Sequence, residues 1–236
     1  MENYTELLKQ DIRFKEGLNA CMNCGVCTAI CPAAEFYTYD PRKVIDMVQS
    51  GDNDAIGELL RSDTIWYCGE CMSCKTRCPR GNTPGLVIMA LRTLSQKTGL
   101  FAESEKGRQQ FAIKRTVGEN IFRYGYCVAS YAVNPDMHPE QGPIWEYILN
   151  HTHDVFERLG GKIDEYGTGP LRRIPEDARD ELKKIFEVTG GTRFFESIEE
   201  HSRKKATELG LEFKDEGTDN EYFIEVYTAN NGKHTS

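Results

Sequence analysis

The sequence predicts a mainly α protein: a cysteine-rich helical domain over residues 1–100, a mostly helical extension over 101–228, and a disordered tail at 229–236. Two observations carry this. Apolar residues recur at helical spacing between Asp-Pro or Thr-Pro starts and glycine stops. Eight of the nine cysteines lie between Cys21 and Cys78, so whatever they build belongs to the first hundred residues.

In chain order, Asp40 is a good N-cap and Pro41 suits the first helical position. Val44, Ile45 and Val48 then share a face, and Gly51 can close the helix. A second helix carries Ile56, Leu59 and Leu60. Thr83-Pro84 opens a third, which runs through Leu86–Leu94 and ends at Gly99. In the extension, Pro143 opens a stretch with Ile144, Tyr147, Ile148 and Val155 that ends near Gly160-Gly161. Pro175 opens another, with Ala178, Leu182 and Ile185. A further helix runs from Phe194 to Gly210, and 221–228 (EYFIEVYT) reads as a strand. The segment from Tyr124 to Pro143 is a loop rich in aromatics, either a connector or a binding surface.

Composition narrows the function. Of 236 residues, 39% are hydrophobic and 28% charged, with a formal net charge of −8. That argues against non-specific nucleic-acid binding, which needs a basic surface. The longest apolar run, Leu86–Leu91, is far below the roughly 20 residues a membrane span needs. The N-terminus lacks the apolar core of an export signal. A cytoplasmic protein is expected, with no direct membrane insertion. An odd cysteine count in such a chain argues against a disulfide framework and for metal binding.

The spacing of the cysteines is the informative feature. Cys21, Cys24, Cys27 and Cys31 precede Pro32; Cys68, Cys71, Cys74 and Cys78 precede Pro79. Both runs read C-x2-C-x2-C-x3-C-P, the bacterial pattern for [4Fe–4S] ligation. Three closely spaced thiolates wrap three corners of a cubane, and the fourth points away. In paired motifs the fourth ligates the other cluster. The assignment is therefore Cys21, Cys24, Cys27 and Cys78 for one cluster, and Cys68, Cys71, Cys74 and Cys31 for the other. Zinc sites commonly use pairs of Cys-x2-Cys and need neither the third spaced cysteine nor the proline. Two four-cysteine clusters leave no open iron position. No Gly-rich nucleotide loop, nucleophile elbow or other catalytic constellation is visible, so no catalytic residue is assigned and electron transfer is the expected duty.

The neighbours of the ligands admit structural and functional readings. Met22, Val26, Ile30 and Met72 can cover the clusters, and Gly25 and Gly69 allow close backbone approach. Lys75, Arg77 and Arg80, beside the second motif, either raise its potential, dock an acidic partner or form a solvated edge. Trp66 and Tyr67 are expected to pack over the second cluster. Cys127 reads as either a small buried apolar residue or a reactive, redox-sensing thiol. His151, His153 and His201 read as surface or capping residues. Glu199 and Glu200, with Arg203, Lys204 and Lys205, read as charge pairs on a solvated face.

Thirty-six helical-looking residues (32–67) separate the two runs. With ACMNCGVCTAICP, DPRKVIDMVQSG and IWYCGECMSCKTRCPRG, residues 15–100 resemble the α-helical ferredoxin domain found in the C-type subunits of heterodisulfide reductase. That resemblance implies a protein relaying electrons between a flavin-containing A-type subunit and a cysteine-rich B-type subunit that handles the disulfide. The extension stretch FEVTGGTRFFESIEEHSRKKATELGL is similar to the C-type subunits of the heterodisulfide-reductase-like complex of sulfur oxidisers. It implies a role in sulfur metabolism, with oxidation of a sulfur carrier. Two alternatives stay open: an iron–sulfur subunit of another flavoenzyme (glycerol phosphate, lactate or glycolate oxidoreductase), and a zinc-bound or cluster-stabilised interaction module with no redox duty.

Overall fold

The computed structural model describes residues 2–128, 135 and 142–229. Most of the aromatic loop, with its Asn134 and His138, and the tail beyond Ala229 lie outside them. Among the described residues every regular element is helical.

The first part holds α1 (Tyr4–Leu8), α2 (Ile12–Gly17), α3 (Val26–Ala29), α4 (Ala33–Phe36), α5 (Pro41–Ser50), α6 (Asn53–Arg61), a 3-10 turn at Thr64–Tyr67, and α7 (Pro84–Thr98). Local chemistry places the ends. The Asp40 carboxylate accepts from the amides of Arg42 and Lys43 at 3.0 and 3.3 Å and caps α5. Asp52 does the same for α6. Gly51 and Gly99 take left-handed φ values of 72° and 78° and end α5 and α7. Helix α7 is buried nearly all round, through Val87, Ile88, Ala90, Leu91 and Leu94. It is the post on which Leu8, Val44, Ile45, Val48, Ile56, Leu60 and Ile65 pack. Each such side chain contributes about 1.5–3 kcal/mol on leaving water. Ser95, also buried on α7, donates to the Leu60 carbonyl at 2.6 Å.

The extension holds a 3-10 turn at Leu100–Glu103, α8 (Glu105–Ile113), a π-helical turn at Lys114–Gly118, α9 (Glu119–Tyr124), α10 (Pro143–Asn150), α11 (Thr152–Arg158), α12 (Glu176–Thr189), α13 (Gly191–Leu209) and α14 (Glu221–Thr228). Phe101, Phe111, Ile198, Ala206, Tyr222, Phe223 and Val226 form its core. Trp66 packs against both cores. Asp63 adds a polar joint, accepting from the Ser104 hydroxyl and from the Lys106 amide at 3.1 Å.

Several expectations are corrected here. Residues 221–228 form α14, not a strand. Asn220 caps it, accepting from the Phe223 amide at 2.9 Å, and Tyr222, Phe223 and Val226 fall on one helical face that is buried. Packing on the α8 core overrides the β-preference of aromatic and branched residues. The Pro143 stretch is two helices broken at His151, with Ile144 and Tyr147 exposed. On α12, Ile185 is exposed, and α13 begins at Gly191, three residues before Phe194. Glu199 is not on a solvated face; it accepts from Nε and Nη2 of Arg115 and from Lys114. His201 is half-buried and packs edge-on to Phe101, its ring against Gly99. Cys127 is exposed, not buried.

The Gly99–His201 contact yields the first prediction. A methyl group on Gly99 would land inside the His201 imidazole, at a φ that L-residues resist. Gly99→Ala is expected to destabilise the protein by about 2–5 kcal/mol, from left-handed strain plus overpacking. A urea midpoint that falls with an unchanged slope would show it.

Candidate metal centre

The two cysteine runs sit on loops that fold alike. In each, the residues two and four places after the first cysteine are left-handed: Asn23 (φ 57°) and Gly25 (φ 80°), then Glu70 (φ 54°) and Met72 (φ 58°). Alternating backbone of this kind turns successive amides into one concavity, a nest suited to anionic groups and iron–sulfur sites. Accordingly the Asn23 amide donates to the Cys21 sulfur at 3.4 Å, and the Glu70 amide approaches Cys68 in the same way. In the second loop the left-handed positions fall on Glu70 and Met72, not on Gly69. For residues with a Cβ that conformation costs about 1–2 kcal/mol, which surrounding contacts must offset.

Those contacts come from side chains that motif spacing does not reveal. Arg92 on α7 donates to the Ile65 and Cys68 carbonyls at 2.7 and 2.6 Å and to Glu70 at 2.6 Å, while lying 5.4 Å from the Trp66 ring centre. It ties the start of the second loop to the central helix. At the first loop, Gln49 on α5 bonds both backbone groups of Cys21, accepting at 2.6 Å and donating at 3.3 Å. Arg42 donates to Asn23 at 2.9 Å and to its helix-capping Asp40 at 3.2 Å. An Arg, a Gln and a capping Asp look like surface residues in sequence; only the folded helices bring them to the loops.

Arg92→Lys tests this bracing. One ammonium cannot serve two carbonyls and a carboxylate in the geometry of a guanidinium fork. The variant is expected to hold iron about 10- to 100-fold less tightly, the usual cost of losing a ligand's support. Iron release to a chelator measures it.

Two cavities adjoin the loops. The first is lined by Cys21, Cys24, Cys27 and Cys78, with Met22, Val26, Arg42, Arg80 and Asn82 among its other walls. The second is lined by Cys31, Cys68, Cys71 and Cys74, and also by Cys27, with Phe36, Tyr39, Tyr67, Met72 and Ile88. Cys27 and Pro84 border both, so the cavities share a wall. The second encloses about 250 Å³. The first is a cleft of about 20 Å³ whose outer side is the exposed Met22 and Cys24.

Among the described residues no three Cys, His, Asp or Glu side chains converge on a single-ion site. The thiols instead stand around volumes, with no carboxylate or imidazole lining either cavity. That soft, all-sulfur donor set fits iron–sulfur clusters. Burial pushes the Cys27, Cys68 and Cys74 thiols up, whereas the hydrogen bond to Ser73 draws exposed Cys71 down. A metal binds the thiolate form, so ligation releases the protons these thiols carry.

Met22, Val26 and Met72 line the cavities as expected; Ile30 lines neither. Tyr67 lines the second cavity and stacks on Tyr37 at 4.5 Å, whereas Trp66 lies behind, between the cores. Lys75 and Arg77 are exposed. Arg80 lines the first cavity rather than the second, because the chain crosses over at Cys78.

Comparison with known proteins agrees with this geometry. The family described as a 4Fe-4S dicluster domain matches residues 17–82. The chain is 31% identical over 187 residues to the C-type subunit of the ferredoxin:CoB-CoM heterodisulfide reductase of Methanosarcina acetivorans, covering 78% of this chain and 68% of that one. It is 33% identical over 116 residues to the iron–sulfur C-type subunit of the CoB–CoM heterodisulfide reductase of Methanopyrus kandleri, with 48% and 59% of the chains covered. The second such iron–sulfur protein of Methanocaldococcus jannaschii matches at 34% over 113 residues, covering 48% and 54%. The Methanosarcina match runs into the extension, so the extension is not peculiar to the sulfur-oxidising complexes. No described helix is long and apolar enough to cross a membrane. On these matches, and with a dicluster motif seated in a helical fold, the chain belongs to the family of C-type subunits of heterodisulfide reductase.

Proposed function

We propose that this chain is the electron relay of a heterodisulfide-reductase-type complex, carrying two [4Fe–4S] clusters and no substrate site of its own. Cys21, Cys24, Cys27 and Cys78 hold one cluster; Cys68, Cys71, Cys74 and Cys31 hold the other. When bound, such clusters supply one-electron transfer. The observation that carries the reading is the partition of eight thiols over two cavities that share a wall.

The rest of the chain excludes water and presents surfaces. One exposed cysteine marks the outer side of each cavity, Cys24 at the first and Cys71 at the second. Exposed Met22 and Phe36 flank them. These are the places for a flavin-containing A-type subunit and a cysteine-rich, disulfide-active B-type subunit to approach. The extension, residues 101–228, serves contacts with these partners: Ile144, Tyr147, Ile185 and Val188 stand exposed on its helices. The direction proposed is electron flow away from a sulfur carrier, and it rests only on the similarity of one stretch of the extension to the proteins of sulfur oxidisers.

Anaerobic purification, counting of iron and sulfide, and EPR after reduction test the reading. About eight of each per chain and two interacting S = 1/2 centres are expected. Zinc with a silent spectrum would leave an interaction module as the better account. The co-purifying subunits decide between a heterodisulfide-type complex and another flavoenzyme.

A further inference from the structure

A buried polar atom without a partner costs about 1–3 kcal/mol, so each one asks for an explanation. Among the described residues, two such atoms belong to side chains that line the cysteine cavities, one in each. Tyr39 is 4% exposed, its ring packed edge-on to Tyr67 at 6.2 Å. Its buried hydroxyl finds no nitrogen or oxygen partner among the described residues; it lies against the Cys68 sulfur, and the residue lines the cavity of Cys31, Cys68, Cys71 and Cys74. Asn82 is 1% exposed. Its Oδ1 accepts from the Asn19 amide at 2.6 Å, which fixes which way the side-chain amide is turned. Its Nδ2 is then left buried and unpartnered, and the residue lines the cavity of Cys21, Cys24, Cys27 and Cys78. The other buried unpartnered atoms, such as Trp66 Nε1 and Asn220 Nδ2, line neither cavity.

We propose that the Tyr39 hydroxyl and the Asn82 amide each donate a hydrogen bond to sulfur, one to each cluster, and so set the two potentials separately. The inference rests on the reading that the cavities hold clusters. Its chemistry is that of any donor near an iron–sulfur centre. A hydrogen bond to sulfur stabilises the more negative, reduced state and raises the potential. The second cavity is walled by Pro32, Ala33, Pro84 and Ile88, and in such a low-dielectric setting one donor weighs more than in water. An O–H and an amide N–H are unequal donors. The two centres of the relay therefore differ in potential by construction, although their cysteine motifs are alike. Both groups are neutral, so the tuning adds no charge to the relay. They act on the clusters through sulfur and are positioning groups, not ligands.

The experiment is an anaerobic redox titration of the full chain followed by EPR, with iron and sulfide counted on each sample. Tyr39→Phe keeps the ring and removes only the hydroxyl. Asn82→Ser keeps an oxygen for Asn19 and withdraws the amide donor. Each variant is expected to lower one midpoint and leave the other, and the two must move different centres. The shift expected is of the order of a tenfold change in the one-electron equilibrium, about 59 mV. Each should also lose one exchangeable-proton coupling to the affected centre, seen by exchange into D2O. Unchanged midpoints and couplings at full iron content would overturn the inference and leave the cluster reading intact. So would equal shifts of both centres, or loss of iron from either variant, since a tuning donor does not hold the cluster. A wild-type protein without iron would instead remove the reading beneath it.

Discussion

Cys31→Ser is expected to empty the centre built on the other motif. The side chain lies in the first cysteine run, yet it lines the cavity of Cys68, Cys71 and Cys74 and not that of Cys21 and Cys24. Short α3 and the Pro32 start of α4 turn the chain between the two, so Cys31 leaves its own loop. Removing one of four thiolates should take the iron content from about eight to about four per chain. It should also turn two interacting EPR signals into one isolated signal. Cys74→Ser should give the same surviving signal as Cys31→Ser. Cys78→Ser should give the same one as Cys21→Ser, because Cys78 lines the first cavity. If Cys31→Ser instead spared the Cys68 centre, each motif would keep its own cluster and the crossed assignment would be wrong. Because the crossed thiols join the two loops, loss of either cluster should also loosen the surrounding helices.

The second large effect lies in the extension. Arg115→Ala is expected to destabilise the α8–α13–α14 core by about 3–5 kcal/mol, the cost of stranding a buried charge. The Arg115 side chain is fully buried, on the π-helical turn. It holds both oxygens of Glu199 at 2.9 and 2.7 Å and donates to the carbonyls of Gly217, Lys214 and Asp215 at 2.7, 2.8 and 3.1 Å. Its guanidinium lies 4.7 and 5.3 Å from the ring centres of Phe111 and Phe213. Without it three carbonyls lose their donor, and Glu199 keeps only Lys114 at 2.7 Å. A second, earlier unfolding transition in urea, with the cluster chromophore still present, is the expected signature.

The same pair sets a pH dependence. Burial alone would raise the Glu199 carboxyl, but the hydrogen bonds and charges of Arg115 and Lys114 outweigh it and hold the group below its ordinary 4.5. Between the lowered and the ordinary value the unfolded chain binds the proton that the folded chain refuses. The pair's stabilisation is therefore full above pH 4.5 and lost as pH falls through the folded value. Arg115→Ala should weaken that acid sensitivity along with the stability, Lys114 remaining to hold the Glu199 carboxylate.

Much of the metal half was legible before folding. Caps and stops act through local chemistry, so Asp40-Pro41, Gly51, Thr83-Pro84 and Gly99 marked α5 and α7 within a residue or two. The spacing of the cysteines, with their prolines, indicated the donor set, because three thiols separated by two residues each can face one volume and the fourth is turned away. The extension was less legible. Residues 221–228 carry β-preferring residues, and only their packing on α8 makes them a helix. Glu199 has basic neighbours at helical spacing, and nothing local shows that it points away from them toward Arg115.

Sequence by itself determined the family, the helical class and the eight thiols, since each depends on contacts within a few residues. Tertiary structure decided what surrounds the thiols: Cys78 lines the cavity of the first run and Cys31 that of the second, with Cys27 bordering both. It also brought Arg92, Gln49, Tyr39 and Asn82 to loops that are 24, 28, 29 and 63 positions away from Cys68, Cys21, Cys68 and Asn19 respectively. Such neighbours meet only once apolar burial has packed the helices on α7. No pattern within a window of sequence encodes them, because the free energy that joins them is that of the whole core.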